Sequence, residues 1–132
     1  MTTEFIAVPR NLTVQQTIEK MRELAPDAET VYYIYVVDEA EKLVGVLSLR
    51  FLIISSPETL ISKIMVKDVI TVDPEMDQRR VAEVISKYNL LAVPVVDKEN
   101  KLLGIITVDD VMDFIIPPIS RRKRQMTNLR LV

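Results

Sequence analysis

The chain has 132 residues, 48% apolar and 27% charged, with a formal net charge of −2. That is enough apolar material for a core and too much for a disordered chain. The absence of Cys and His removes disulfides, thiol nucleophiles and imidazole acid–base or metal chemistry, and two glycines are too few for a Gly-rich phosphate loop.

Taken in chain order, residues 5–8 predict a short strand, and Val14, Ile18 and Met21 recur at the 3.6-residue period of an amphipathic helix. Two strands follow at 31–37 and 43–47, rich in β-branched and aromatic residues and joined by a polar turn at 38–41. A short helix starts near Arg50. Ser56 before Pro57 reads as a helix start, so residues 57–64 predict a linker helix. The order then repeats: a strand at 69–72, a helix carrying Val81, Val84, Ile85 and Tyr88, strands at 92–96 and 102–106 around a turn at 97–100, and a short helix from Asp109.

The repetition extends to individual residues. Val36-Val37-Asp38 and Lys42 to Ser48 recur as Val95-Val96-Asp97 and Lys101 to Thr107, at an offset of 59; Met1 to Val8 pairs with Met65 to Val72 at an offset of 64. The difference assigns five extra residues to the first copy, around 25–29. Both glycines, Gly45 and Gly104, occupy one repeat position. Two copies are too few for a solenoid and predict one closed α/β (α+β) module of two pseudo-twofold-related β-α-β-β-α units. The first unit spans 1–55 and the second, with its linker helix, 56–115. A counterpart of that linker would lie before Met1, so an upstream segment is expected.

Residues 116–132 form a basic tail with Arg121, Arg122, Lys123, Arg124 and Arg130. Removing these five from the 17 basic residues leaves 12 against 19 acidic ones, and an acidic body argues against nucleic acid as a partner. No apolar run reaches the ~20 residues of a membrane span, and no signal-peptide pattern opens the chain. Pro117 and Pro118 stop the last helix, and the basic cluster beyond them suits an anionic inner leaflet or the approach to a membrane domain.

The stretch "GIITVDD" (104–110) admits two readings. Thr107 and Asp110 have the spacing of a capping box, and the same hydroxyl and carboxylate suit the sugar of a bound nucleotide.

The β-α-β-β-α unit present twice, with an apolar strand, a glycine and then Ser/Thr-x-x-Asp, resembles the CBS (cystathionine β-synthase) domain pair, or Bateman module, over residues 1–115. "AETVYYIYVVD" and "TVDDVMD" are similar to the cytosolic CBS pair of MgtE-type magnesium transporters. The resemblance implies a regulatory ligand sensor rather than an enzyme, on the cytoplasmic side of the membrane, dimerising through its CBS units and linked in cis to a transmembrane transporter domain. It implies ATP or AMP between the units, with Thr107 and Asp110 at the ribose and phosphate and Ile70, Ala92, Val93 and Pro94 along the base. Tyr33 and Arg50 would serve the first-copy site, where Phe51 replaces the expected Asp. It further implies Mg²⁺ as a ligand, with Asp77, Asp109, Asp110 and Asp113 as the matching carboxylates; solvated acids at helix starts are the alternative for each. Arg79 and Asn89 stand where that family tends to carry acids. A nucleotide-sensing pair serving another transporter or enzyme, and a purely structural dimerisation module, are the competing functions.

Overall fold

The computed structural model describes residues 1–24 and 33–115. The first unit contains strand β1 (Ile6–Pro9), helix α1 (Val14–Leu24), strands β2 (Tyr33–Val37) and β3 (Leu43–Ser48), and helix α2 (Leu49–Ile54). The second contains helix α3 (Gln78–Tyr88), strands β4 (Ala92–Val96) and β5 (Leu102–Thr107), a 3₁₀ turn at Val108–Val111 and helix α4 (Met112–Ile115). The predicted tail and the five-residue insertion lie outside the described residues.

In the first unit β1 runs parallel to β2, which pairs antiparallel with β3. In the second, β4 and β5 pair antiparallel, but the predicted strand at 69–72 is reduced to a parallel bridge between Val72 and Val95. Val72 donates to the Pro94 carbonyl and accepts from the Val96 amide, both at 3.0 Å. The next rung of a parallel ladder would be donated by the amide of residue 94, and proline has none. Both hairpins shift register at the same repeat position, between Val36 and Val37 and between Val95 and Val96.

Each unit completes the sheet of the other. Val66, ahead of the second unit's first strand position, exchanges two backbone hydrogen bonds with Val46 of β3, at 2.9 and 3.0 Å; Thr2 does the same with Ile105 of β5, both at 2.9 Å. The glycines lie where these lead-in segments cross. A Cβ on Gly45 would run into the Met65 side chain, and one on Gly104 would sit 2.7 Å from the Thr2 carbonyl oxygen. Neither glycine is required by φ; Gly104 answers a close approach of backbone and Gly45 one of a side chain.

Three apolar clusters result. Ile6, Val8, Val14, Ile34, Val36, Leu47, Leu52 and Ile61 fill the first unit; Val72, Val81, Ala82, Ile85, Val93, Val95 and Val111 fill the second. A third, made of Tyr35, Leu43, Ala92, Val96 and Ile105, joins them.

The helices start with equivalent caps. Thr13 and Gln16 exchange amide-to-side-chain bonds at 2.9 and 3.2 Å ahead of α1, and Asp77 accepts from the Arg80 amide at 2.9 Å ahead of α3. Asn89 ends α3 in the left-handed conformation, φ 53°. Tyr88, expected on the apolar face, is instead exposed under Lys87, whose Nζ lies 5.3 Å from the ring centroid. The predicted helix at 57–64 is corrected as well, since only a 3₁₀ turn at Ile61–Lys63 forms. The carbonyls of Pro57 and Thr59 accept from Gln15 and Val14, at 3.0 and 2.8 Å. The segment thus satisfies the open amides of α1's first turn instead of building a helix of its own.

Candidate functional site

An apolar cavity of about 220 Å³ opens between the units, lined by Tyr33, Tyr35 and Val46 of the first, by Val66, Asp68, Val69 and Ile70 of the crossing segment, and by Leu90, Ala92 and Pro94 of the second. Its position follows from the pseudo-twofold packing. β2 contributes two tyrosines where β4 carries the small residues Ala92 and Pro94 at the equivalent positions, and the size mismatch leaves a slot. Tyr33 is held in place, its hydroxyl accepting from the Leu91 amide at 3.2 Å across the units.

Of the residues expected at a nucleotide, the structure brings Tyr33, Ile70, Ala92 and Pro94 into one wall. Val93 alternates to the opposite side of β4 and is fully buried in the second unit's core. Thr107, Asp110 and Arg50 are not among the residues that line the cavity. Tyr33 pairs with Ser48 and Ala92 with Thr107, so the turn that follows each pairing residue begins beside a wall residue. In one turn Arg50 is exposed on α2. In the other, Thr107 and Asp110 form a capping box, with the Thr107 amide donating to Asp110 Oδ2 at 3.1 Å. The capping reading of "TVDD" is thus realised, and Asp110, which is exposed, retains its second carboxylate oxygen for another donor.

Residue-by-residue reading missed Tyr35, Asp68, Leu90 and the valines of the wall. Asp68 had a signal in the repeat, since Glu4 occupies its equivalent position. Tyr35 had only its alternation with Tyr33. It is 1% exposed and stands edge-on to Phe5 and Tyr33, with ring centroids 6.5 and 6.4 Å apart. Burial, helped by the neighbouring Tyr33, pushes its phenol well above the usual range, so it stays neutral.

Of the carboxylates expected to bind metal, three follow β5 and one lies at the start of α3. Asp77 caps α3, Asp109 and Asp110 sit in the exposed turn after β5, and Asp113 follows on α4. Among the described residues no three acidic side chains are grouped to hold a metal ion. Mg²⁺ keeps several waters and needs few carboxylates.

Two larger clefts, of about 610 and 570 Å³, lie at equivalent places between the exit of each first strand and the hairpin turn. The first is spanned by an exposed Arg10–Glu39 ion pair at 3.0 Å; the second has Pro74 and Lys98 at those positions. Asp38, on the rim of the first, has its carboxyl held below the usual range, chiefly by the Lys42 amide, then by the Ala40 amide and the charges of Arg10 and Lys42.

The profile of the CBS domain matches residues 1–50 and 61–117. The magnesium transporter MgtE of Thermus thermophilus is 50% identical over 113 residues, 86% of this chain and 25% of that protein. Among solved structures, the cytosolic domain of the Mg²⁺ channel MgtE in complex with ATP superposes with a TM-score of 0.83 at 50% identity, covering 86% of this chain and 46% of that one. A CBS domain pair crystallised with 5′-methylthioadenosine and S-adenosyl-L-methionine superposes with a TM-score of 0.70 at 26% identity, covering 87% of this chain and 90% of its own. The chain spans about a quarter of the length of the MgtE relatives it matches. No helix among the described residues is long and apolar enough to cross a membrane.

Proposed function

Because the chain belongs to the CBS domain family and carries both units of a CBS pair, we propose that it is the cytoplasmic regulatory module of an MgtE-like magnesium transporter and senses an adenine nucleotide between its units. The observation that carries the nucleotide reading is the cavity where Tyr33, Ile70, Ala92 and Pro94 converge. At about 220 Å³ it is smaller than the roughly 300–1,000 Å³ of a drug-sized pocket, so it takes the base while the sugar and phosphates extend to its mouth. There Asp68 and Asp110 offer acceptors for ribose hydroxyls, and Arg50 offers a cation for phosphate. The relative crystallised with ATP supports this choice of ligand.

The module works by population shift rather than catalysis. Because the cavity is walled by both units, a ligand there favours one arrangement of the units over others, and whatever is joined to the module follows that bias. A homodimer fits the exposed Phe51, Ile53 and Ile54 of α2, an apolar stripe suited to a second copy. Mg²⁺ enters this reading as the transporter's substrate and regulator.

Calorimetric titration with ATP and with AMP tests the proposal, using the wild type, Tyr33→Ala and Asp110→Ala, each checked for folding by its melting curve. Loss of base stacking on Tyr33 predicts a ~10-fold weaker Kd, and Asp110→Ala a smaller loss in affinity together with a lower melting temperature. Absence of both binding heat and a melting shift in the wild type would remove the nucleotide reading and leave a structural dimerisation module.

A further inference from the structure

The Leu91 peptide is hydrogen-bonded on both sides. Its amide donates across the units to the Tyr33 hydroxyl at 3.2 Å, and its carbonyl accepts from the Val108 amide at 2.8 Å. The first bond ends on a side chain that walls the cavity. The second ends on the opening residue of the Val108–Val111 turn, which carries Asp109 and Asp110 and leads into α4. The first amides of a helical turn have no partner inside it, and here Leu91 supplies the one that Val108 needs while Thr107 and Asp110 close the turn with their capping box. Leu91 is 48% exposed, so its place depends on these bonds more than on burial of its side chain. The tie to the cavity is also one-sided: Ala92 holds the repeat position of Tyr33 and has no hydroxyl with which to make the reverse bond.

We propose that Tyr33 is a positioning residue for the acidic turn, and that the Leu91 peptide passes occupancy of the cavity on to it. A ring bordering empty space can swing between rotamers and open an exposed bond; a base packed in that space holds the ring, the Leu91 amide and, through the Leu91 carbonyl, the Val108 amide. A ligand between the units therefore steadies the turn of Asp109 and Asp110 by restricting its motion, without a large change of shape. Linkage makes the effect reciprocal, so whatever steadies the turn from outside tightens binding in the cavity by the same factor. The inference rests on the nucleotide reading given above and adds to it the element that reports the ligand.

The test is backbone amide exchange followed by NMR, with and without saturating AMP, on the wild type, Tyr33→Phe and Val108→Pro, each checked for folding by its melting curve. Proline suits the first position of a helical turn after the extended Thr107 (φ −91°, ψ 161°) and removes the amide that the Leu91 carbonyl holds. In the wild type AMP is expected to slow exchange at Leu91, Val108 and Thr107 by ~2- to 10-fold. In AMP-saturated Tyr33→Phe the slowing at Val108 and Thr107 is expected to vanish, and in Val108→Pro it is expected to persist at Leu91 and vanish at Thr107. Binding of AMP to the wild type without slowing at Val108 overturns the inference and leaves the nucleotide site standing. So does slowing of the same size at Val108 in Tyr33→Phe, or at Thr107 in Val108→Pro; if the proline variant does not fold, Tyr33→Phe decides alone. A folded Tyr33→Phe protein that takes up no AMP also overturns it, because the hydroxyl would then be committed to the ligand instead of to Leu91. No binding of AMP to the wild type overturns this inference together with the reading on which it rests.

Discussion

At the end of β3, Ser48 accepts from the Phe51 amide at 3.3 Å, and α2 goes on to expose Phe51, Ile53 and Ile54. At the equivalent place after β5 the chain reads Thr107, Asp110, Met112 and Asp113, and a carboxylate joins in closing the turn. The same backbone event thus makes an apolar surface in one unit and an acidic one in the other. A second divergence lies in the strands, where Tyr33 and Tyr35 face positions that hold Ala92 and Pro94. By contrast, Gly45 and Gly104 match in type and in place, and Asp38 and Asp97 in type and in role. Positions that decide how the units interlock are shared, while those bordering the cavity and the outer surface differ. The module is symmetric in its framework and asymmetric where it can meet a ligand or a partner.

The largest effects should show whether the two units behave as one. Ile34→Ala in the first core and Ile85→Ala in the second each remove a buried side chain at a cost of ~2–5 kcal/mol. Interlocking strands and the shared third cluster predict a single unfolding transition for both variants, followed by far-UV circular dichroism in urea. Two separated transitions in either variant would mean that the units are stable apart and that a ligand between them cannot bias the whole.

Next in size are the glycines. Gly104→Ala sets a methyl group against the Thr2 backbone oxygen, whereas Gly45→Ala meets the Met65 side chain, which can rotate away. Overpacking of this kind costs ~1–3 kcal/mol, and the Gly104 variant should lie at the upper end and the Gly45 variant at the lower. The difference would be read from denaturation midpoints. The reverse ranking would mean that the crossing at Thr2 gives way more easily than the one at Met65.

Much of this framework was legible in the sequence because the repeat exposes it. Any strand or helix seen in one copy is checked by the other, and the shared glycine marks a backbone crossing even before the crossing partner is known. The linker at 57–64 was misread for a physical reason that local propensity does not contain, namely the demand of α1 for carbonyls at its N-terminus. The strand at 69–72 failed on a residue in its partner, Pro94. The site was legible only in part. Tyr33, Ile70, Ala92 and Pro94 converge, but Tyr35 and Asp68 reach the same cavity through the packing of the units on each other, which no spacing along one chain encodes.

Helix caps give a smaller comparison, with Asp77→Ala and Thr13→Ala each expected to cost ~1 kcal/mol. Thr13 has the backup of Pro57 and Thr59, whose carbonyls serve the same turn. The Asp77 variant should therefore be the more damaged of the two in thermal melts, and equal losses would mean that those carbonyls add nothing to the cap.

The smallest effect concerns the hairpin turns. Asp38 and Asp97 each accept two backbone amides, at 2.9–3.0 Å, and Asp38 has Arg10 among the groups that lower its pKa, after the Lys42 and Ala40 amides. A carboxyl whose pKa is lower in the folded than in the unfolded chain contributes stability that is present above the unfolded value, about 3.9, and is lost as pH falls through the folded one. Asp38→Asn keeps an oxygen for the two amides and removes the titrating charge. The variant should match the wild type's shape near neutral pH but lose less stability between about pH 5 and 2, measured as urea midpoints across that window. An unchanged acid slope would assign the acid sensitivity of the module to carboxylates other than Asp38, and the turn would then owe its geometry to the two amide bonds without help from the charge.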